Sequence, residues 1–471
     1  MALDPARLRL LNPLPPRPGR YVLYWMTANR RRRYNHALQH AVARARELGA
    51  PLLVLEGLRL QYPHASDRHH RFVLDGMADN ARAFADSAVT YLPWVESRPG
   101  EGKGLLARLA QDAALLVTDD WPGFFHPRML AAAARLPIRM EAVDSAGLLP
   151  VRAADKAYGR AVDFRRFLQK TLPTHLAHLP QADPLAGVDL PPATVPAWLR
   201  PASAERLAGR VEDLPIDHSV SPVAERGGSV AGRVRLDRFL DRLPSYLERN
   251  QPDGGGGSGL SPYLHYGQVG AGEVYAALLD RVGPPTFGKV NASREGWWGL
   301  PEAAESFLDE LITWRELALN GAAFLPGYES YEATPAWAQQ SLEEHRADPR
   351  PALYSLEELD AGLTHDPLWN AAQAELRESG RMHNYLRMLW GKRVLEWSED
   401  PRRAFEILVH LNDRYALDGR DPNTLAGVGW VFGRYDRPWG PRRPIFGTVR
   451  YMSSENTARK LRLREYLERW G

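Results

Sequence analysis

No cysteine occurs in the 471 residues, which excludes disulfides, thiolate metal sites and a cysteine nucleophile together. Long apolar runs are missing as well: no stretch reaches the ~18 residues that cross a bilayer. The opening segment MALDPARLRLLNPLPPRPGR lacks the compact apolar stretch and small-residue cleavage site of a secretory signal. A cytoplasmic protein is the expectation. Net charge is only +3, so the chain as a whole does not advertise nucleic-acid binding. Neither GxGxxG after a strand nor GxxxxGK[ST] is present, and there is no GxSxG elbow. A zinc protease pattern fails because Ala37 stands between His36 and His40 where HExxH needs glutamate. His69 and His70 are adjacent and point apart on a regular element, so no metal is expected.

What is present is an ordinary globular balance, 44% hydrophobic and 25% charged, in a chain long enough for two or three domains. The first third alternates short apolar runs with amphipathic stretches. YVLYWM, PLLVLEGL, VTYLPWV, ALLVTDD and IRMEAVDS read as strands, with NHALQHAVARARELG as a helix. That alternation implies βαβ units and a parallel sheet over 18–177, a Rossmann-like α/β domain. A proline-rich stretch follows, and 178–231 reads as a surface linker. From 232 to 471 the strand signal disappears, and segments such as AAESFLDELITWRELALNGAAF and MHNYLRMLWGKRVLEW carry helical spacing. An all-α C-terminal domain is the expectation.

Charge is unevenly placed. Between Arg420 and Gly471 there are eleven Lys/Arg and five Asp/Glu, a local +6 that leaves the rest at −3. Trp430, Tyr435, Trp439, Phe446 and Tyr451 lie inside that basic stretch, the mixture that grips phosphates and stacks bases. A solvated basic surface would look the same. The run GGGGSGLSPYLHYG opens a helix; its glycines let backbone approach a ligand, and a helix start favours an anion. A flexible loop is the alternative.

SGLSPYLHYGQV, FLDELITWREL, THDPLWNAAQ, GRMHNYLRMLWGKRVLEW, LNDRYALDGRDPN and DRPW…RPIFGTVRYM occur in this order. The set resembles the class II cyclobutane pyrimidine dimer photolyases of the photolyase/cryptochrome family. The resemblance implies a deoxyribodipyrimidine photo-lyase, in which reduced FAD, driven by light, splits dimers in UV-damaged DNA. It implies FAD held by Tyr246, Ser258, Leu260, Ser261, Arg387, Asn412, Asp418 and Gly419, with Asn412 beside the reactive N5. Arg387 and Asp418 alone would read as a structural ion pair.

The resemblance also implies an electron relay of Trp369, Trp390 and Trp397. Trp390 and Trp397 are seven apart, about 10 Å along a helix, a stripe that by itself reads as core packing. Glu310 would bond the dimer, with Trp314, Met388 and Trp430 packed around it and Arg249, Arg437 and Arg450 gripping the duplex. Flipping of the lesion out of the helix is implied, because a flavin inside a protein cannot reach stacked bases. An antenna chromophore, deazaflavin or folate, is possible in the N-terminal domain, and a monomer is expected.

Two features depart from the family pattern. WVFGRYDRPW is one residue shorter than the usual spacing, so the roles of Arg434, Tyr435 and Arg437 stay open. ANRRRR replaces the acidic–basic pattern after the first strand. The competing readings are a cryptochrome-like photoreceptor without repair and a DNA-binding protein without flavin.

Overall fold

The computed structural model describes residues 3–209 and 211–471; Met1, Ala2 and Arg210 lie outside it. The chain divides into two compact units. One gathers Met1–Ala154, Lys170–Leu240 and Gly259–Pro284, and the other Asp155–Gln169, Asp241–Ser258 and Pro285–Gly471.

The first unit is built on a six-stranded sheet of β1 (Leu8–Leu10), β2 (Tyr21–Met26), β3 (Leu52–Leu58), β4 (Thr90–Val95), β5 (Ala113–Asp119) and β6 (Met140–Val143). Their order is β1-β6-β5-β2-β3-β4. All neighbours are parallel except β1, which runs antiparallel to β6. The β2 side chains divide strictly between two cores, as the two-residue period of a strand requires. Val22, Tyr24 and Met26 pack with Leu38, Ala41 and Ala45 of the helix His36–Leu48. Tyr21 and Leu23 pack on the opposite face with Leu109 and Leu130. Burial on both faces is why these strands read as nearly continuous apolar runs. Pro93 sits in β4, which pairs only with β3, the edge position where a missing N–H does no harm.

The proline-rich stretch read as a surface connector is not wholly superficial. Leu185 and Leu190 join the first of these cores, and Leu199 joins the second.

The second unit is mainly helical, and one device starts three of its helices. Asp-Pro dipeptides precede Pro367–Ser379, Pro401–Tyr415 and Pro422–Val431, with Asp366, Asp400 and Asp421 each accepting backbone N–H bonds of the first turn. Proline at the first helical position loses no bond there and has a preset φ. Each aspartate cap contributes about 1 kcal/mol. Among the described residues no helix is long and apolar enough to cross a membrane, and no group of three or more His, Asp and Glu could hold a metal.

Candidate functional site

Several of the candidate residues lie on or against the helix Asn384–Glu396 of the helical unit. Arg387, Met388 and Trp390 all lie on it, and its C-terminal half, from Leu389 to Glu396, is buried on every side. Gly391 makes that possible: a Cβ there would collide with Val431 of the neighbouring helix Pro422–Val431.

Arg387 reaches across to two other segments. Its Nη1 donates to Asn412 Oδ1 at 3.3 Å and its Nη2 to Asp418 Oδ1 at 3.5 Å. Asn412 Nδ2 faces Thr424 Oγ1 at 3.3 Å and Asp413 Oδ1 at 3.4 Å. These contacts are long, and the Arg387 and Asp418 side chains each keep 20% of their surface exposed. Gly419 follows Asp418 where a Cβ would meet the Asn412 and Ala416 carbonyls at 3.0 Å, so the tight passage depends on glycine.

The three tryptophans form one continuous aromatic stack. Trp369 lies between the other two, parallel to Trp390 with ring centres 6.3 Å apart and edge-on to Trp397 at 5.7 Å. The Asp366 cap holds Trp369, accepting its backbone N–H at 3.1 Å. Trp369 Nε1 donates to the Trp390 carbonyl and Trp390 Nε1 to Gln373 Oε1, both at 3.0 Å. Trp397 Nε1 is buried without a hydrogen-bond partner. Tyr354 and His365 pack against the Trp397 ring, each 5.3 Å away between centres.

Glu310 and Trp314 lie on Asp309–Trp314, which is π-wound rather than α-helical, inserted between Glu302–Leu308 and Arg315–Phe324. The wider turn differs from the regular helical face that the spacing implied. Its first residue is pinned: Arg165 makes a buried two-bond pair with Asp309 at 2.8 and 3.0 Å. Isolated π turns of this kind recur at functional sites. Arg249 Nη2 approaches Glu310 Oε1 at 3.4 Å, and its guanidinium stacks 4.8 Å over Tyr246. Surrounding protein holds the Glu310 carboxyl above the usual carboxylate range, against the pull of Arg249. Yet 38% of the side chain remains accessible.

A fourth cluster surrounds Trp430. The Arg450 guanidinium lies 5.0 Å from its ring and 4.0 Å from Trp439. Asp436 holds Arg450 with two bonds of 2.9 and 3.2 Å and accepts Trp439 Nε1 at 3.1 Å. Arg437 is exposed and stacks 4.7 Å over Trp439. The residues left open by the shortened spacing divide clearly. Arg434 is buried and donates to the Tyr328, Ser330 and Leu425 carbonyls, while Tyr435 is buried at φ +64°; both serve the fold.

Not every candidate falls together. Ser258 ends a segment of the helical unit, whereas Leu260 and Ser261 belong to a segment of the α/β unit. Sequence reasoning passed over Gln373, Asp436 and Lys392. All three stand inside quoted motifs, but nothing in their spacing singles them out. Lys392 is fully buried and donates to the Val431 carbonyl, 5.1 Å from the Trp430 ring. Burial pushes its ammonium down to about 7, opposed by Asp436 and aided by Arg450.

No family model matches the chain. The deoxyribodipyrimidine photo-lyase of Methanothermobacter thermautotrophicus is 37% identical across 98% of this chain and 97% of that protein. The protein of the same name from Oryza sativa subsp. japonica is 33% identical across 98% and 90%. Among solved structures, a class III photolyase from Agrobacterium tumefaciens superposes with a TM-score of 0.67 at 18% identity, covering 96% of this chain and 86% of that one; this likeness concerns the fold. With two relatives above 30% identity over nearly their whole length, the chain belongs to the deoxyribodipyrimidine photo-lyases.

Proposed function

We propose that this photolyase repairs cyclobutane pyrimidine dimers with FAD bound by its helical unit, and that it belongs to the class II branch. The Arg387–Asn412–Asp418 cluster is the observation that carries the reading. A reduced, anionic flavin ring asks for one cation that is itself held in place and one amide near N5. Arg387 is such a cation, anchored by Asn412 and Asp418 at 3.3 and 3.5 Å and still 20% exposed. Asn412 offers the amide. Nothing lies within 4 Å of where a Gly257 side chain would begin, so the backbone before Ser258 is open to a ligand. The residues fit the group.

When bound and reduced, FAD supplies the excited electron that opens the cyclobutane ring and receives it back. Tyr246, Ser258 and Gly419 complete its contacts within that unit. Glu310, whose side chain is partly exposed, presents a polar group to charge that develops on the lesion, where preorganised polar groups stabilise most. Trp314, Trp430 and Met388 pack the flipped bases, while Arg249, Arg437 and Arg450 hold the distorted duplex. The Trp390–Trp369–Trp397 stack brings electrons inward to reduce the flavin. The enzyme acts as a monomer in the cytoplasm. The cryptochrome-like reading has no observation in its favour.

The test is a visible spectrum of the purified protein together with DNA binding. A flavin spectrum and tighter binding to dimer-containing than to intact duplex are expected; equal affinities for the two DNAs would contradict the proposal.

A further inference from the structure

We infer that Gln373 is a positioning residue of the tryptophan relay, one that keeps the indole proton on Trp390 while an electron passes through it. The inference rests on the relay reading above.

Gln373 is fully buried and bridges two groups whose chemistry leaves its amide no choice of orientation. The indole N–H of Trp390 can only donate, and it meets Gln373 Oε1 at 3.0 Å. The Asp360 carbonyl can only accept, and it takes Gln373 Nε2–H at 3.1 Å. The bare oxygen is therefore held at the Trp390 proton. An amide oxygen stabilises a positive charge on a donor but is too weak a base to take the proton. Trp369 is treated in the same way, since its N–H points at the backbone carbonyl of Trp390 at 3.0 Å.

A photoexcited oxidised flavin is the one-electron oxidant. Trp390 gives up one electron and becomes an indole radical cation, a much stronger acid than the indole. If its proton left, the neutral radical would be trapped, because refilling it would need a proton as well as an electron. With Gln373 as acceptor the proton stays. One electron from Trp369 then restores Trp390, and Trp397 restores Trp369. A thiol reductant finally supplies the electron from outside. No bond breaks within the stack.

Two isosteric variants test this, read by transient absorption on a Trp369→Phe background that holds the radical at Trp390. The spectra distinguish the protonated from the deprotonated indole radical, and indole N–H exchange in the flavin-free protein gives a readout independent of light. In the parent, the radical should stay protonated at every pH at which the protein is folded. Gln373→Met removes the acceptor. Its Trp390 N–H should exchange faster, and the radical yield should fall roughly tenfold, the scale of a lost hydrogen bond to a charged group. Gln373→Glu keeps both bonds while neutral, but becomes a base once ionised. Its radical should switch from protonated to deprotonated as pH rises, a titration absent from the parent. The titratable groups bearing on this corner are Asp360 and, beyond it, His410 and Tyr415, and both proteins share them. A parental radical whose protonation state and yield are unchanged in both variants overturns the role of Gln373 alone. No tryptophan radical in the parent overturns the relay, and this role with it.

Discussion

In the α/β unit, Asp119 accepts the backbone N–H groups of Thr27, Ala28 and Asn29 at 2.8, 2.8 and 3.0 Å, and also the Tyr24 hydroxyl and the Asn29 amide. It is fully buried. In the helical unit, Asp418 takes Arg387 at 3.5 Å with a fifth of its side chain exposed. Both carboxylates follow short apolar runs in sequence. One has its lone pairs committed to shaping the loop after β2, while the other sits in a loose, half-open cluster. The arginines repeat the contrast. Arg31 is buried and donates to the Gly267, Tyr34 and Ser145 carbonyls, whereas Arg387 keeps an open side. A polar group enclosed on every side is spent on the fold; one with an exposed side is open to a ligand.

The contrast predicts opposite outcomes for removing its two members. Asp119→Ala orphans three buried N–H groups at about 1–3 kcal/mol each. A loss of roughly 3–9 kcal/mol is expected, comparable with the whole stability of many domains. Urea unfolding would measure it, and a loss below about 1 kcal/mol would show that water replaces the carboxylate. Arg387→Ala should leave unfolding nearly unchanged, because partly exposed pairs contribute about 0–1 kcal/mol. The purified variant should nevertheless have lost its flavin absorption. A variant that kept the flavin but unfolded easily would reverse the assignment and make Arg387 structural.

The tryptophan stack lies between these extremes, buried like core yet ordered like a relay. Trp397→Phe keeps an aromatic filler, so folding should be largely spared. Under blue light with a thiol, flavin reduction should slow at least about tenfold, the scale expected if each hop needs a readily oxidised neighbour. Chemical reduction should restore repair. Photoreduction at the parental rate would return the stack to plain packing.

How far these features were legible depends on the range of the forces behind them. The five parallel strands showed in the apolar runs because burial on both faces leaves a local pattern. β1, three residues long and antiparallel at the edge, is too short for any period to reveal. Composition marked 178–231 as connector, while tertiary packing drew Leu185, Leu190 and Leu199 into cores. Helical spacing related Trp390 to Trp397, but only the Asp366-capped helix inserts Trp369 between them. The π turn at Glu310 was invisible, since the Arg165–Asp309 pair joins residues 144 positions apart. Motif resemblance supplied the site residues; spacing alone did not.

A smaller effect sharpens the same comparison. Glu310 titrates above its unfolded value because surrounding protein disfavours its charge. Its full contribution to stability is therefore present below the unfolded pKa and lost as pH rises through the folded one. Glu310→Gln should raise the melting temperature slightly at neutral and alkaline pH and leave it unchanged in acid. An equal shift at both ends would mean that the charge carries no penalty. A carboxyl held at some cost to the fold is the opposite of Asp119.

Light-dependent repair tests the central claim most directly. The purified protein, with its flavin chemically reduced, would be mixed with an oligonucleotide bearing one cyclobutane dimer, and the recovery of pyrimidine absorbance followed in light and in darkness. The account predicts recovery in light, none in darkness, and a clear loss of yield in Glu310→Ala with flavin and DNA still bound. Flavin-loaded, reduced protein that binds the oligonucleotide but restores no absorbance under illumination would contradict it.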